Sequence, residues 1–403
     1  METNGKKKSI YWLHSHFLLN TGGTRFVYDV ILRLHQYYHI TVVVEKCSEY
    51  WKKRYGMIGV DVIEISPLSS NSMWYWLFFP FFFIFEVIRL KKIVRNDEVM
   101  ISTMFPMHAV AVFVSKKTLF YCYEPFTYFY DKTLQKSHTL IQRILIYVLA
   151  FVYGGLDRYG AAKSTKIYTI NKVTRYWIQK IYRREPEVIT YLGVDVNFFN
   201  TSVAPIYPKK YATTVVFHST DYTALKGTDN VLNAAYRLRE MNVKNIQFYI
   251  SETVRNEQTY QKYQNYLSKH GLRDVVFFVG HISYNDLPKY YRFADMYLFA
   301  GDPDSTGATS ASMSVLEAAA CGIPAIRTLG ENEEVLDKKT GILVDPRNAD
   351  EVAGAILFLH VNPDKRRDMG KNAHDYIVSL YTWENVAGKF RQGIESMHSH
   401  EKK

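Results

Sequence analysis

Short runs of β-branched and apolar residues alternate with amphipathic stretches along the whole chain, the pattern of α/β units built on parallel sheets. In the first half, residues 9–12, 40–44, 60–65, 99–103, 118–123, 167–171 and 188–190 read as strands, with helical periodicity over 24–37 and 172–182. A second series of strands follows at 213–218, 247–250, 275–279, 296–299, 325–327 and 342–344. Its helices fall around 229–241, 257–270, 314–321 and 349–359, and residues 365–397 are helical with a break near Thr382 and Trp383. Periodicity fades between Gly193 and Tyr211, a stretch that holds Pro205 and Pro208. The expected fold class is α/β, with a doubly wound Rossmann-like domain over 1–195, a linker over 196–212 and a second such domain over 213–380. A terminal helix over 381–403 crosses back to the first domain. Two such domains facing one cleft place a ligand at the carboxyl ends of the strands.

One apolar stretch is long enough to raise a second question. Residues 73–85 are continuously apolar, but Pro80 interrupts them and Glu86 and Arg89 follow. A membrane span wants about twenty apolar residues, so a core helix is the expectation, ahead of an interfacial one. Residues 144–153 form another run too short to span. The chain is expected not to cross a membrane, while these two aromatic-rich helices are what docking against one would use.

Composition agrees with a globular protein of two domains: 403 residues, 47% apolar and 22% charged. The net charge of +11 falls entirely within residues 1–200, since residues 201–403 carry 24 basic and 24 acidic side chains. Such a basic half favours an anionic partner there, for instance an acidic lipid surface. Cys47, Cys122 and Cys321 show neither zinc-ligand nor redox-pair spacing. Lys6–Lys8 run straight into the first strand without a signal-peptide pattern, so a cytosolic location is expected.

Three segments carry candidate chemistry. Thr21-Gly22-Gly23-Thr24 joins the first strand to the first helix, where glycine lets backbone amides approach an anion at an electropositive helix end. Lys226-Gly227 follows the first strand of the second series, with Asp229 placed to cap the next helix and the lysine placed to neutralise a diphosphate. Residues 301–322 form a small-residue loop, rich in Ser, Thr and Gly, that feeds a helix containing Glu317. A carboxylate there can accept two hydrogen bonds from the vicinal hydroxyls of a ribose.

These segments resemble family 4 of the retaining glycosyltransferases, the glycosyl transferases of group 1, over most of the chain. Residues 316–324, L-E-A-A-A-C-G-I-P, match the second half of that family's E-x7-E-A-x-A-x-G-x-P pattern. Residues 341–346 resemble its T-G-x-L-V-x-P stretch, residues 280–295 its G…L…Y…A-D segment, and 191–195 its hinge-side N-G-V-D. Gly22 and Gly23 match the first-loop glycines, Lys226-Gly227 the phosphate lysine, and 381–384 the aromatic-W-E before the terminal helix. The resemblance implies a GT-B enzyme needing no metal and no cofactor, with the acceptor on the N-terminal domain and the sugar nucleotide on the C-terminal one. It further implies that Lys226 contacts the diphosphate and Glu317 the ribose. Backbone groups of Ser312, Met313 and Ser314 contact phosphate or sugar, beside Ser310, and Gly22 and Gly23 close over the donor.

Three positions depart from the family pattern. Thr309 stands where the first glutamate of E-x7-E belongs, Thr220 where an arginine precedes the phosphate lysine, and Tyr123 where a histidine is usual. Asp302, Asp304 or Glu124 are candidate replacements for the missing carboxylate, and Tyr123 for the histidine contact on the acceptor side. The reading that follows is a hexosyltransferase acting on a glycan or lipid-linked acceptor. Mannose is favoured because residues 121–131 resemble a C-H-x-P-P-x…W-D stretch of mannosyl-transferring members. The alternative is a catalytically impaired GT-B subunit or sugar-nucleotide-binding protein. An epimerase lacks its acid and base carboxylates, and no nucleic-acid module accompanies the charge.

Overall fold

A computed structural model describes residues 7–19, 21–130, 135, 139–209, 212–223, 225–302, 312–330 and 333–399. The chain divides into two compact units, Met1–Tyr191 with Trp383–Lys403, and Leu192–Thr382.

The strands of the first unit are β1 (Ser9–Phe17), β2 (His39–Cys47), β3 (Asp61–Glu64), β4 (Val99–Ser102), β5 (Lys117–Cys122), β6 (Lys166–Thr169) and β7 (Val188–Ile189). They form one sheet in the order β3-β2-β1-β4-β5-β6-β7, parallel throughout. Its helices run α1 (Gly22–Leu34), α2 (Glu49–Met57), α3 (Met73–Leu77), α4 (Phe79–Lys91), α5 (Met107–Val114) and α6 (Thr127–Tyr130). Beyond them come α7 (Leu140–Lys163) and α8 (Lys172–Tyr182). The central strands are buried on both faces, as β-branched and aromatic runs such as Val42-Val43-Val44 require.

In the second unit β8 (Thr214–Thr220), β9 (Ile246–Glu252), β10 (Val276–Gly280), β11 (Met296–Phe299), β12 (Ala325–Thr328) and β13 (Gly341–Val344) pair in the order β10-β9-β8-β11-β12-β13. Its helices are α9 (Thr228–Glu240), α10 (Glu257–Lys269), α11 (Leu287–Phe293), α12 (Met313–Ala320), α13 (Ala349–Val361) and α14 (Pro363–Leu380). Val231, Leu232, Leu298, Ile326 and Ile356 meet in its core. In each sheet the strand order reverses once, between β1 and β4 and between β8 and β11. Such a reversal opens a crevice at the strands' carboxyl ends, where ligands of doubly wound sheets sit.

The segment expected as a linker packs within the second unit. Phe198 stacks on Tyr284 with ring centroids 4.9 Å apart, and buried Phe199 meets Tyr291 edge-on. These aromatic anchors hold a stretch whose prolines only remove its periodicity. The terminal helix α15 (Trp383–Ser399) belongs to the first unit, where Phe390 packs on Trp12 and Trp383 on Phe26. A Cβ on Gly393 would lie 2.3 Å from the Tyr168 hydroxyl, so glycine is required at that crossing.

The expectation of a core helix over residues 73–85 is corrected. Pro80 sits in the first turn of α4 and separates it from α3, and both helices turn apolar side chains outward. Trp74 is 62% exposed, Phe81 75% and Ile84 57%. Helix α7 does the same: Ile141 is 81% and Phe151 90% exposed. By length and composition α7 is apolar enough to cross a membrane. Its inner face nevertheless packs on the first unit, where a Cβ on Gly160 would come within 2.8 Å of the Ala109 backbone.

Candidate functional site

In the second unit the candidate residues gather around the reversal between β8 and β11. Gly227 caps α9 in a left-handed conformation, φ +69°, and a Cβ there would lie 1.7 Å from the Ala300 carbonyl oxygen. Glycine at that position lets the turn after β8 lie against the end of β11. The neighbouring Lys226 ammonium sits 5.7 Å from the centroid of the Phe299 ring. Asp229, expected to cap α9, does not: it pairs with Lys262 at 3.1 Å and accepts from the Tyr263 hydroxyl at 3.2 Å.

Thr220 is also corrected as a donor contact. Its side chain is fully buried, accepting from the Tyr222 amide at 2.9 Å and from the Thr228 hydroxyl at 2.7 Å. His218 completes the chain, with Nε2 3.0 Å from Thr228 and Nδ1 2.9 Å from the Leu298 carbonyl. Burial pushes the His218 pKa down to about 4, which keeps the ring neutral. This network fixes the turn carrying Lys226 and adds no charge to it.

Helix α12 begins after Ser312 and carries buried Glu317 one turn in. The Tyr291 hydroxyl donates to Glu317 Oε2 at 3.0 Å, which orients the carboxylate. Ser312 and Ser314 hydroxyls lie 3.0 Å apart, and Met313 is half-buried between them. The amide of Ser312, the residue that caps this helix, donates to Glu334 Oε1 at 2.5 Å. Glu334 is held in turn by Arg327, Nη1 to Oε1 3.2 Å, and both side chains are buried. The Arg327 guanidinium lies 5.3 Å from the Phe299 centroid, so Lys226 and Arg327 share one ring. This buried cation is not among the residues expected from the sequence. Its signal was a lone arginine inside an otherwise apolar strand.

Asp302 forms an exposed ion pair with Arg347 at 2.5 Å. Asp304, Thr309 and Ser310 lie outside the described residues. A cavity of about 970 Å³ is lined by Lys209, Asp295 and Arg366. It lies at the amino-terminal ends of the strands, away from the strand ends where Lys226 and Glu317 stand.

In the first unit, Gly22 and Gly23 open α1 behind Thr21, which caps the helix reciprocally with Thr24. Gly22 has open space around it, whereas a Cβ on Gly23 would meet the Tyr123 hydroxyl at 3.3 Å. Tyr123 is half-buried with its hydroxyl 3.6 Å from the Met104 sulfur, and Glu124 beside it is exposed. The β1 turn and the end of β5 thus bring Gly23 and Tyr123 together, as their shared position at the strands' carboxyl ends requires.

Two doubly wound parallel sheets of this order define a GT-B fold. Sucrose-phosphate synthase from Thermosynechococcus elongatus superposes on it with a TM-score of 0.72 at 14% identity, covering 98% of this chain and all of that one. Anabaena HepE, solved in complex with UDP, gives 0.73 at 14% identity over 96% of this chain and 100% of its own. Residues 205–376 match the family described as Glycosyl transferases group 1. The GDP-mannose-dependent alpha-(1-6)-phosphatidylinositol monomannoside mannosyltransferase of Mycobacterium tuberculosis is 30% identical over 123 residues. That match spans 30% of this chain and 32%, about a third, of the relative's length.

Proposed function

We propose that the protein is a retaining, metal-independent hexosyltransferase that passes a hexose from a nucleoside-diphosphate sugar to a glycan or lipid-linked acceptor. The observation that carries this reading is the set of groups around the β8–β11 reversal. There Lys226 follows β8, and α12 with the oriented, buried Glu317 follows its neighbour β11. Lys226 and the helix end stabilise the negative charge that develops on a departing diphosphate, which is electrostatic catalysis without a cation. Glu317 accepts from ribose hydroxyls and holds the nucleoside. Mannose from a guanosine diphosphate donor is favoured by residues 121–131 and by the GDP-mannose dependence of the mycobacterial relative. The basic first half and the outward apolar faces of α4 and α7 support work at a membrane surface with an acceptor from that side.

The impaired-subunit reading draws on Thr220, whose burial leaves no cation in the arginine's place, and on Asp302, which is tied to Arg347. Thermal-shift titration with guanosine, uridine and adenosine diphosphates and their hexose conjugates tests donor binding. Stabilisation by one nucleotide class is expected, and stabilisation by none would sink the proposal. Slow donor hydrolysis without acceptor separates the transferase from the impaired subunit, which shows no turnover.

A further inference from the structure

In the first unit a cavity of about 360 Å³ opens between α3 and α7. Its walls are aromatic and aliphatic: Trp76, Phe105, Phe126 and Phe129 on one side, Leu145 and Leu149 of α7 on the other. Trp76 and Phe126 lie 5.6 Å apart, Phe126 and Phe129 4.7 Å, and the Tyr153 hydroxyl ties α7 to the Trp76 carbonyl at 3.5 Å. Polar side chains complete the lining, Ser15, His16 and Asn71, and the Ser15 hydroxyl donates to the Phe105 carbonyl at 3.5 Å. His16 Nδ1 is buried there and makes no hydrogen bond among the described residues. A buried ring nitrogen without a partner costs free energy unless a ligand or water completes it. Burial lowers the His16 pKa, so the ring is neutral and suited to a hydroxyl rather than to a charged group.

The outer surfaces of the same two helices are apolar as well. Between Ile144 and Leu156, α7 has no charged side chain on either face, and a helix apolar all round belongs in a core or in lipid. The helices that would meet bilayer hydrocarbon with their outer faces thus also wall a cavity that holds hydroxyl-binding groups. β1, which carries Ser15 and His16, leads directly into the turn of Gly22 and Gly23.

We propose that this cavity holds the acceptor as an amphiphile, a glycolipid whose hydrocarbon segment lies between α3 and α7 and whose hydroxyl-bearing head meets Ser15 and His16. The inference rests on the transferase reading and names its acceptor class. A site for a free saccharide would share the hydroxyl chemistry and lack the need for a chain.

The test uses the full chain and monomeric n-decyl maltoside, with maltose and decanol as separate arms, read by calorimetric titration. One saturable site for decyl maltoside is expected, with maltose and decanol each at least about tenfold weaker. Met73→Trp and Gln142→Trp, both at exposed positions on the cavity rim, should weaken decyl maltoside about tenfold while leaving nucleoside-diphosphate stabilisation intact. Unchanged affinity in both variants, or maltose binding as well as its alkyl form, overturns the amphiphile site. An affinity lost in Phe151→Glu instead places the probe on the outer face of α7 and also overturns it. Nucleotide titration on the same sample keeps the two readings apart: decyl maltoside binding at this site without nucleotide binding sinks the transferase and leaves the cavity assignment standing.

Discussion

Arg327 Nη1 lies 3.2 Å from Glu334 Oε1, with neither side chain reaching solvent. The pair bridges β12 to the amino end of α12 through the Ser312 amide. A buried ion pair is weak evidence for net stability, because both ions lose their hydration. Removing one partner is costly, since the other stays buried and unpaired.

Arg327→Met should therefore destabilise the protein by about 3–5 kcal/mol. Arg327→Met with Glu334→Gln should recover part of that loss. Urea unfolding of the two variants checks it. A single variant as stable as wild type would mean that Glu334 finds another partner or water.

Lys226 and Gly227 are neighbours with opposite expected behaviour. Lys226→Ala removes a half-buried ammonium held over Phe299, so stability should change by about 1 kcal/mol or less. Turnover should fall by about 10²–10³ if the ammonium stabilises the leaving diphosphate. Gly227→Ala puts a methyl into the Ala300 carbonyl at a left-handed φ, and should cost about 2 kcal/mol or more. Melting temperatures and transfer rates measured on both variants separate the two roles.

Much of the fold was legible because parallel strands buried on both faces leave short β-branched runs between amphipathic helices. Lys226 and Glu317 were legible because the turns that place them are local in sequence. Arg327 was not, since only the β11–β12 pairing brings it to the ring that Lys226 covers. Thr220 was read from its place in a motif, whereas its burial follows from the hydroxyl network with Thr228 and His218. The run over 73–85 was misassigned because apolar composition alone does not say whether a face meets protein, lipid or water. Pro80 marked a helix start rather than a break in a single core helix.

Stability of the first unit should depend on pH through Glu86. This carboxyl is buried on α4, receives the Tyr75 hydroxyl at 3.1 and 3.2 Å from its two oxygens, and faces Glu45, also buried. Burial raises the Glu86 pKa from 4.5 to about 7. The folded chain then binds the proton more tightly than the unfolded one. The stabilising contribution is full below about pH 4.5 and is lost as pH rises through about 7. Wild-type stability should fall over that window by up to about 3 kcal/mol relative to Glu86→Gln. Chemical unfolding at pH 5 and pH 8 checks it, and parallel curves for the two proteins would mean that Glu86 titrates normally.

The outward faces of α4 and α7 give the last expectation. Phe81 and Ile84 on α4, and Ile141 and Phe151 on α7, are exposed, and Arg89 and Lys91 stand in the last turn of α4. Apolar side chains beside basic ones suit a surface that enters the headgroup layer of an anionic bilayer. The protein should float with phosphatidylglycerol-containing vesicles and less with purely zwitterionic ones. Phe81→Glu with Phe151→Glu should abolish flotation while leaving the unfolding transition within about 1 kcal/mol of wild type, because neither ring is buried. Raising salt should release part of the bound protein by screening the basic groups. Flotation that persists in the double variant would assign the membrane contact to another face, and the absence of wild-type flotation would leave these helices to a protein partner.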